Sequence, residues 1–120
     1  MDKPDRLPIA RNFVSGANAD GLRVEIGGAQ KVAPWSTIDS ISAAHVPRGE
    51  ASFFLIGIEM NDGRVFILSE TSPAWNEVVN LLHTHLDDVE PFTAWGPRLI
   101  AESTMIGVYE RARARGRRLV

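Results

Sequence analysis

Apolar and polar residues follow two periods along this chain, and the change between them comes near residue 72. Leu22, Val24 and Ile26 alternate with Arg23 and Glu25, the pattern of a half-buried strand. Further on, Phe54, Ile56, Ile58 and Met60 fall on one face of a strand, and Phe53, Leu55, Gly57 and Glu59 on the other. Both faces are apolar at its start, which predicts a central strand or one covered on both sides. Asn61-Asp62-Gly63 is a strong hairpin signal, because Asp and Asn tolerate positive φ and Gly takes it without steric cost. Val65 to Leu68 is the return strand. From Ser72 the period lengthens. Trp75, Val79, Leu82 and Leu86 form one stripe, flanked by Val78, and predict an amphipathic helix over 72–86. Ser72 is its expected N-cap and Pro73 its first helical residue, where a missing N–H is harmless. Asp87-Asp88 ends it, since negative charge is unfavourable at a helix C-terminus.

The flanking segments carry weaker signals. Pro8 to Val14 reads as a first short strand and Ser15 to Gly21 as a turn. Gly27 to Gln30 turns the chain again, and Lys31 to Ala33 begins the answering strand. Pro34-Trp35 interrupts it, because proline brings no ladder donor. Trp35, Ile38 and Ile41 recur every third residue, which a bend at Ser36-Thr37 followed by a strand from Ile38 to His45 reconciles. Pro47 to Glu50 is a loop. In Glu90 to Ser103, Pro91, Gly96 and Pro97 argue against one long helix and leave room for a short turn around Phe92 to Trp95. Thr104 to Glu110 is apolar and β-rich, a late strand. A helix from Leu99 to Arg115 is the alternative, with Gly107 against it.

Composition then bounds the classes. The chain has 120 residues, of which 44% are hydrophobic, enough for one domain with a real core. It has no cysteine, which excludes disulfides, thiolate metal sites and a cysteine nucleophile, and points to a reducing, cytoplasmic setting. Its longest apolar run, Phe53 to Ile58, is far short of the ~20 residues of a membrane span. The polar start MDKPDRLP shows no export signal. Charge is divided unevenly. Residues 1–110 hold eight Lys or Arg against fifteen Asp or Glu, a balance of −7, and residues 111–120 hold five Arg and no acid. The expected organisation is a single domain over 1–110, with 1–7 a frayed arm and 111–120 a basic, mobile tail.

Candidate chemistry is sparse. His83 and His85 are two apart, and on a helix they diverge by about 200°, so they do not share an ion easily. His45 follows Ser40 and Ser42, with none of the surroundings of a serine nucleophile. Gly27-Gly28 lacks the Lys-Ser/Thr of a phosphate loop. No catalytic residue, metal or cofactor is expected. Trp35, Trp95 and Tyr109 are the candidate partner contacts, as aromatics outside the helix that can anchor a partner. Arg111, Arg113, Arg115, Arg117 and Arg118 are the candidate anion contacts. The first four alternate with Ala112, Ala114 and Gly116, so an extended chain puts them on one side.

VAPWSTIDSI, then FFLIGIEMNDGRVFIL, then SPAWNEVVNLLHTHL resembles the bacterial pleckstrin-homology-like domains and small bacterial proteins of that shape. The resemblance implies an α+β fold in which antiparallel sheets form a partly open barrel, one helix (about 72–86) plugs an end, and a short strand (about 104–110) comes late. It implies a binding scaffold with protein partners or self-assembly, and no catalytic residues. The phosphoinositide-binding version of that fold uses a basic first hairpin loop, and the corresponding stretch here, GGAQK, offers only Lys31. Two other readings stand beside it. One is an electrostatic tether to nucleic acid or anionic membrane through Arg111 to Arg118. The other is a small enzyme using His45 or His83.

Overall fold

The structure is a computed structural model and describes residues 12–102 and 105–111, with Arg48 described by its backbone alone. The 1–7 arm, the start of the strand expected from Pro8, and the tail from Ala112 lie outside the described residues. Two antiparallel sheets are formed. The first has the order β1-β2-β3, from strands β1 (Asn12–Asn18), β2 (Gly21–Ile26) and β3 (Ala29–Pro34). A single 3₁₀ turn, Trp35–Thr37, leads to the second. That sheet has the order β6-β5-β4-β7, from β4 (Ile38–Arg48), β5 (Ala51–Met60), β6 (Val65–Ser69) and β7 (Ile106–Glu110). Between β6 and β7 the chain makes two helices, α1 (Trp75–His85) and α2 (Phe92–Glu102). The fold is therefore α+β with a late strand, but the sheets are not closed into a barrel, and there are two helices where one was expected.

The hairpins follow from their turn residues. Gly27 and Gly28 both have positive φ, 59° and 88°, the two-residue geometry that matches the twist of the flanking strands. Asn61-Asp62-Gly63 closes with Gly63 N donating to Met60 O at 3.0 Å. The turn expected over Ser15–Gly21 is shorter than its composition suggests. Ser15 to Asn18 continues β1 past an irregularity between Val14 and Gly16, and only Ala19-Asp20 turns. Asn18 Oδ1 accepts from the amides of Asp20 and Gly21, holding that turn. Likewise Pro47 and Arg48 still pair with Ser52 and Ala51 at the end of β4, so the loop shrinks to Gly49-Glu50.

The core lies between the sheets, with the helices over one end. Phe54, Ile56, Ile58 and Met60 of β5 face it, as the alternation predicts, together with Leu22, Val24, Ile38, Ile41, Phe66 and Leu68. From α1 it receives Trp75, Val78, Val79 and Leu82. Ser72 does not cap this helix directly. It builds the turn before it, its Oγ accepting from Ala74 N at 3.1 Å and its carbonyl from Trp75 N at 3.1 Å, with Pro73 inside that turn. Helical bonding begins at Ala74, whose carbonyl accepts from Val78 N.

The second helix is the main departure from expectation. Phe92–Glu102 is helical through Gly96 and Pro97. Pro97 and Thr93, four residues earlier, are both exposed, which limits the cost of the lost backbone bond. Gly96 is there for contact: a Cβ on it would meet the Phe92 ring at 2.8 Å. Trp95 and Leu99 are buried and fasten the helix to the core. Trp95→Ala is expected to lower the unfolding free energy by about 3–5 kcal/mol. Ile100→Ala, on the exposed side of the same helix, should change it by no more than about 0.5 kcal/mol. Urea titration of the two variants checks this; equal effects would mean that α2 is not docked through Trp95.

Candidate functional site

The tryptophans proposed as partner contacts are core residues. Trp95 is 2% exposed and Trp35 is 9% exposed. The Trp35 indole N–H donates to Asn18 O at 3.1 Å, and its ring stacks on His85 with centroids 5.2 Å apart. The side chain thus joins the first sheet to the end of α1 and has little surface left for a partner. Tyr109 is half-buried in β7, opposite Ile41.

Arg111, read as the first residue of the tail, is bound to the body. Its amide donates to Asp39 O at 2.9 Å. Its guanidinium donates to the carbonyls of Ser36 and Ile38, and its Nε lies 3.1 Å from Asp39 Oδ1. The guanidinium therefore lies over the bend between the sheets, with Nη2 donating to two carbonyls and Nε ion-paired with Asp39. Arg113, Arg115, Arg117 and Arg118 lie outside the described residues.

The histidines serve separate places. His45 packs on Phe54, and His85 on Trp35. His83 Nδ1 lies 2.7 Å from Val89 O; a carbonyl only accepts, so this nitrogen carries the proton and staples the loop after α1. Among the described residues no group of three His, Asp or Glu is placed to hold a metal ion.

One apolar surface feature was not picked out in the sequence. It is the outer face of the four-stranded sheet. Register sets Ala44 beside Leu55, and Ser42, Gly57 and Ile67 in the next row. Val65 and Glu59 make one margin, and Val46 with Phe53 the other. Ile67 is 61% exposed and Val65 57%. By strand spacing and rise these rows cover about 300 Å², within the range where the largest patch on a monomer is often functional. β5 is central, as its two apolar faces suggested, but only its inner face is covered by the core. The available signal was β6: in VFIL all four residues are apolar, so both faces of an outermost strand had to be.

Two concavities lie apart from this face. One, of about 190 Å³, opens between the sheets away from the helices, over Val24, Met60 and Phe66, with Lys31, Asp62 and Arg64 at its rim. The other, of about 460 Å³, lies between Asp87-Asp88 after α1 and the strand from Gly107 to Arg111.

At the first rim Asp62 is held below the usual carboxylate range, first by the Arg64 backbone N–H and then by the Arg64 guanidinium, at 3.0 Å and 2.7 Å. Comparison of the chain with protein-family models, curated proteins and solved structures finds no match.

Arg111→Met is expected to lower stability by about 1.5–3 kcal/mol, the range for hydrogen bonds to a charged group. Arg111→Lys should recover little of it, because an ammonium cannot reproduce the fork. Thermal unfolding of both variants decides this, and full recovery by lysine would show that only the charge mattered. Asp62 should titrate below the ordinary midpoint of ~3.9. A depressed carboxylate stabilises the fold above its unfolded value, and the contribution is lost as pH falls through the folded one. In Arg64→Ala the midpoint should move only partly back, since the backbone donor remains; carboxyl NMR titration reads this directly.

Proposed function

We propose that the protein is a non-catalytic self-assembly module of the cytoplasm, on a scaffold arranged like the pleckstrin-homology-like domains, and that it associates with a second copy of itself through the outer face of its four-stranded sheet. The observation that carries this reading is the pair of β-branched residues Val65 and Ile67, more than half exposed on an outermost strand, beside Leu55, Ala44 and Val46. Two antiparallel sheets joined by a bend, with helices at one end, support the scaffold.

Charge selects the partner. The rows built from Ala44, Leu55, Ser42, Gly57 and Ile67 are uncharged, and Glu59 stands at the margin. Two such faces meet about a two-fold axis without opposing like charges at the centre, and sheets pack face to face at about 10 Å. A strongly charged partner would find no complement there. The size sets the strength. About 300 Å² per copy is less than half of the ~800 Å² per partner of a standard interface, so the dimer is weak and concentration-dependent.

Sedimentation equilibrium should show a monomer–dimer exchange that persists at high salt, as apolar burial does. Ile67→Glu should abolish it without lowering the melting temperature, because the side chain is mostly exposed. A strict monomer at the highest attainable concentration, or a dimer indifferent to Ile67→Glu, would remove this reading.

A further inference from the structure

The cleft beside β7 has a different chemistry from the open face. Among the described residues β7 is the end strand of its sheet, paired with β4. An antiparallel strand points alternate N–H and C=O groups to each side, so an end strand offers half of them to a newcomer. Gly107 to Arg111 lines the cleft along its length, and Asp87 and Asp88 form the opposite wall. Neither aspartate has a partner among the described residues. Arg111 adds no free positive charge, since its guanidinium is turned onto Ser36, Ile38 and Asp39. The cleft is thus a slot beside a strand edge, with a negative wall. It suits an extended, positively charged segment that adds as a further strand.

The chain itself carries such a segment: residues 112–120 read ARARGRRLV, four arginines in nine residues with no acid. Its own cleft is an awkward target. Arg111 is pinned at the end of β7, so a segment returning along the same edge must reverse at once. Ala112, Arg113, Ala114 and Arg115 include no Gly, Asn, Asp or Pro to make that tight turn. Nine extended residues reach about 30 Å, enough to cross to a neighbour. We infer that the arginine-rich segment 112–120 of one copy docks along the β7 edge of another, between that strand and Asp87-Asp88, giving a head-to-tail contact. Because donor and acceptor surfaces differ, such a contact closes into rings or extends into chains. It uses a separate surface from the open sheet face and does not depend on it.

Complementation tests this in the Ile67→Glu background, which removes the open-face contact. One protein carries Asp87→Lys and Asp88→Asn; asparagine is chosen because residue 88 has φ 63°. The other keeps the cleft and carries serine in place of Arg113, Arg115, Arg117 and Arg118. Each alone should be monomeric, and the mixture should form a one-to-one complex at about 20 mM salt that dissociates by about 500 mM, where the screening length is only ~4 Å. In a second measurement the peptide ARARGRRLV is added to the Ile67→Glu chain. Amide shifts should concentrate at Asp87, Asp88 and Gly107 to Glu110, and the Asp87→Lys/Asp88→Asn pair should weaken binding about tenfold or more. No complex in the mixture, association of the cleft variant with itself, or peptide shifts located elsewhere would each overturn the inference. A peptide that binds the cleft while the mixture stays monomeric would overturn the contact between copies.

Discussion

The fold depends on one cluster of rings. Phe92 stands edge-on to three aromatics, with centroids 5.0 Å from Phe54, 5.8 Å from Trp75 and 4.8 Å from Trp95. Phe54 belongs to β5, Trp75 to the start of α1, and Phe92 and Trp95 to α2. Three elements that share no backbone hydrogen-bond ladder are therefore held at one point by edge-to-face contacts, each worth about 0.5–1.5 kcal/mol beyond area burial. The close approach of Phe92 requires Gly96, because a methyl group there would enter the ring. A helix carrying both Gly96 and Pro97 has poor intrinsic propensity; burial of Trp95 and Leu99 together with this cluster outweighs it.

Placing both helices at that end determines what remains open. A sheet of four strands has two broad faces, and only the inner one meets the first sheet and the helices. The outer face keeps its apolar residues because β5 is central and β-branched side chains favour strands whichever way they point. The same arrangement explains the return of the chain as β7. Once α2 has covered the end of the core, the following segment lies beside β4 and adds to the sheet there, with Arg111 fixing its last residue to the bend between the sheets.

Much of this was legible because it is local. The alternation in β2 and β5, the Asn61-Asp62-Gly63 turn and the stripe of α1 are set by neighbours in sequence, and the elements lie within a few residues of expectation. The second helix was not legible, because its breakers are local while its compensation, the ring cluster, is tertiary. The burial of the tryptophans was not legible for the same reason. Trp35 and Trp95 sit in stretches with Pro and Gly that read as loops, and only the packing of His85 and Phe92 against them shows that they are interior. Nor does an apolar strand reveal which of its faces is covered. The two faces of β5 were read correctly as apolar, but their coverage is a property of the helices' position.

Arg111 also changes how the charge asymmetry should be read. It belongs electrically to the body, paired with Asp39, so the strongly basic segment begins after it. Residues 1–110 carry a balance of −7, and Asp87-Asp88 stand across the cleft from the strand that ends at Arg111. The nine residues after Arg111 can span up to about 30 Å, more than the screening length of ~8–10 Å, so their charge and that of the body are felt separately. Another copy presents both signs, an acidic body and a basic segment. The division of charge thus makes a contact of opposite sign electrostatically available between copies.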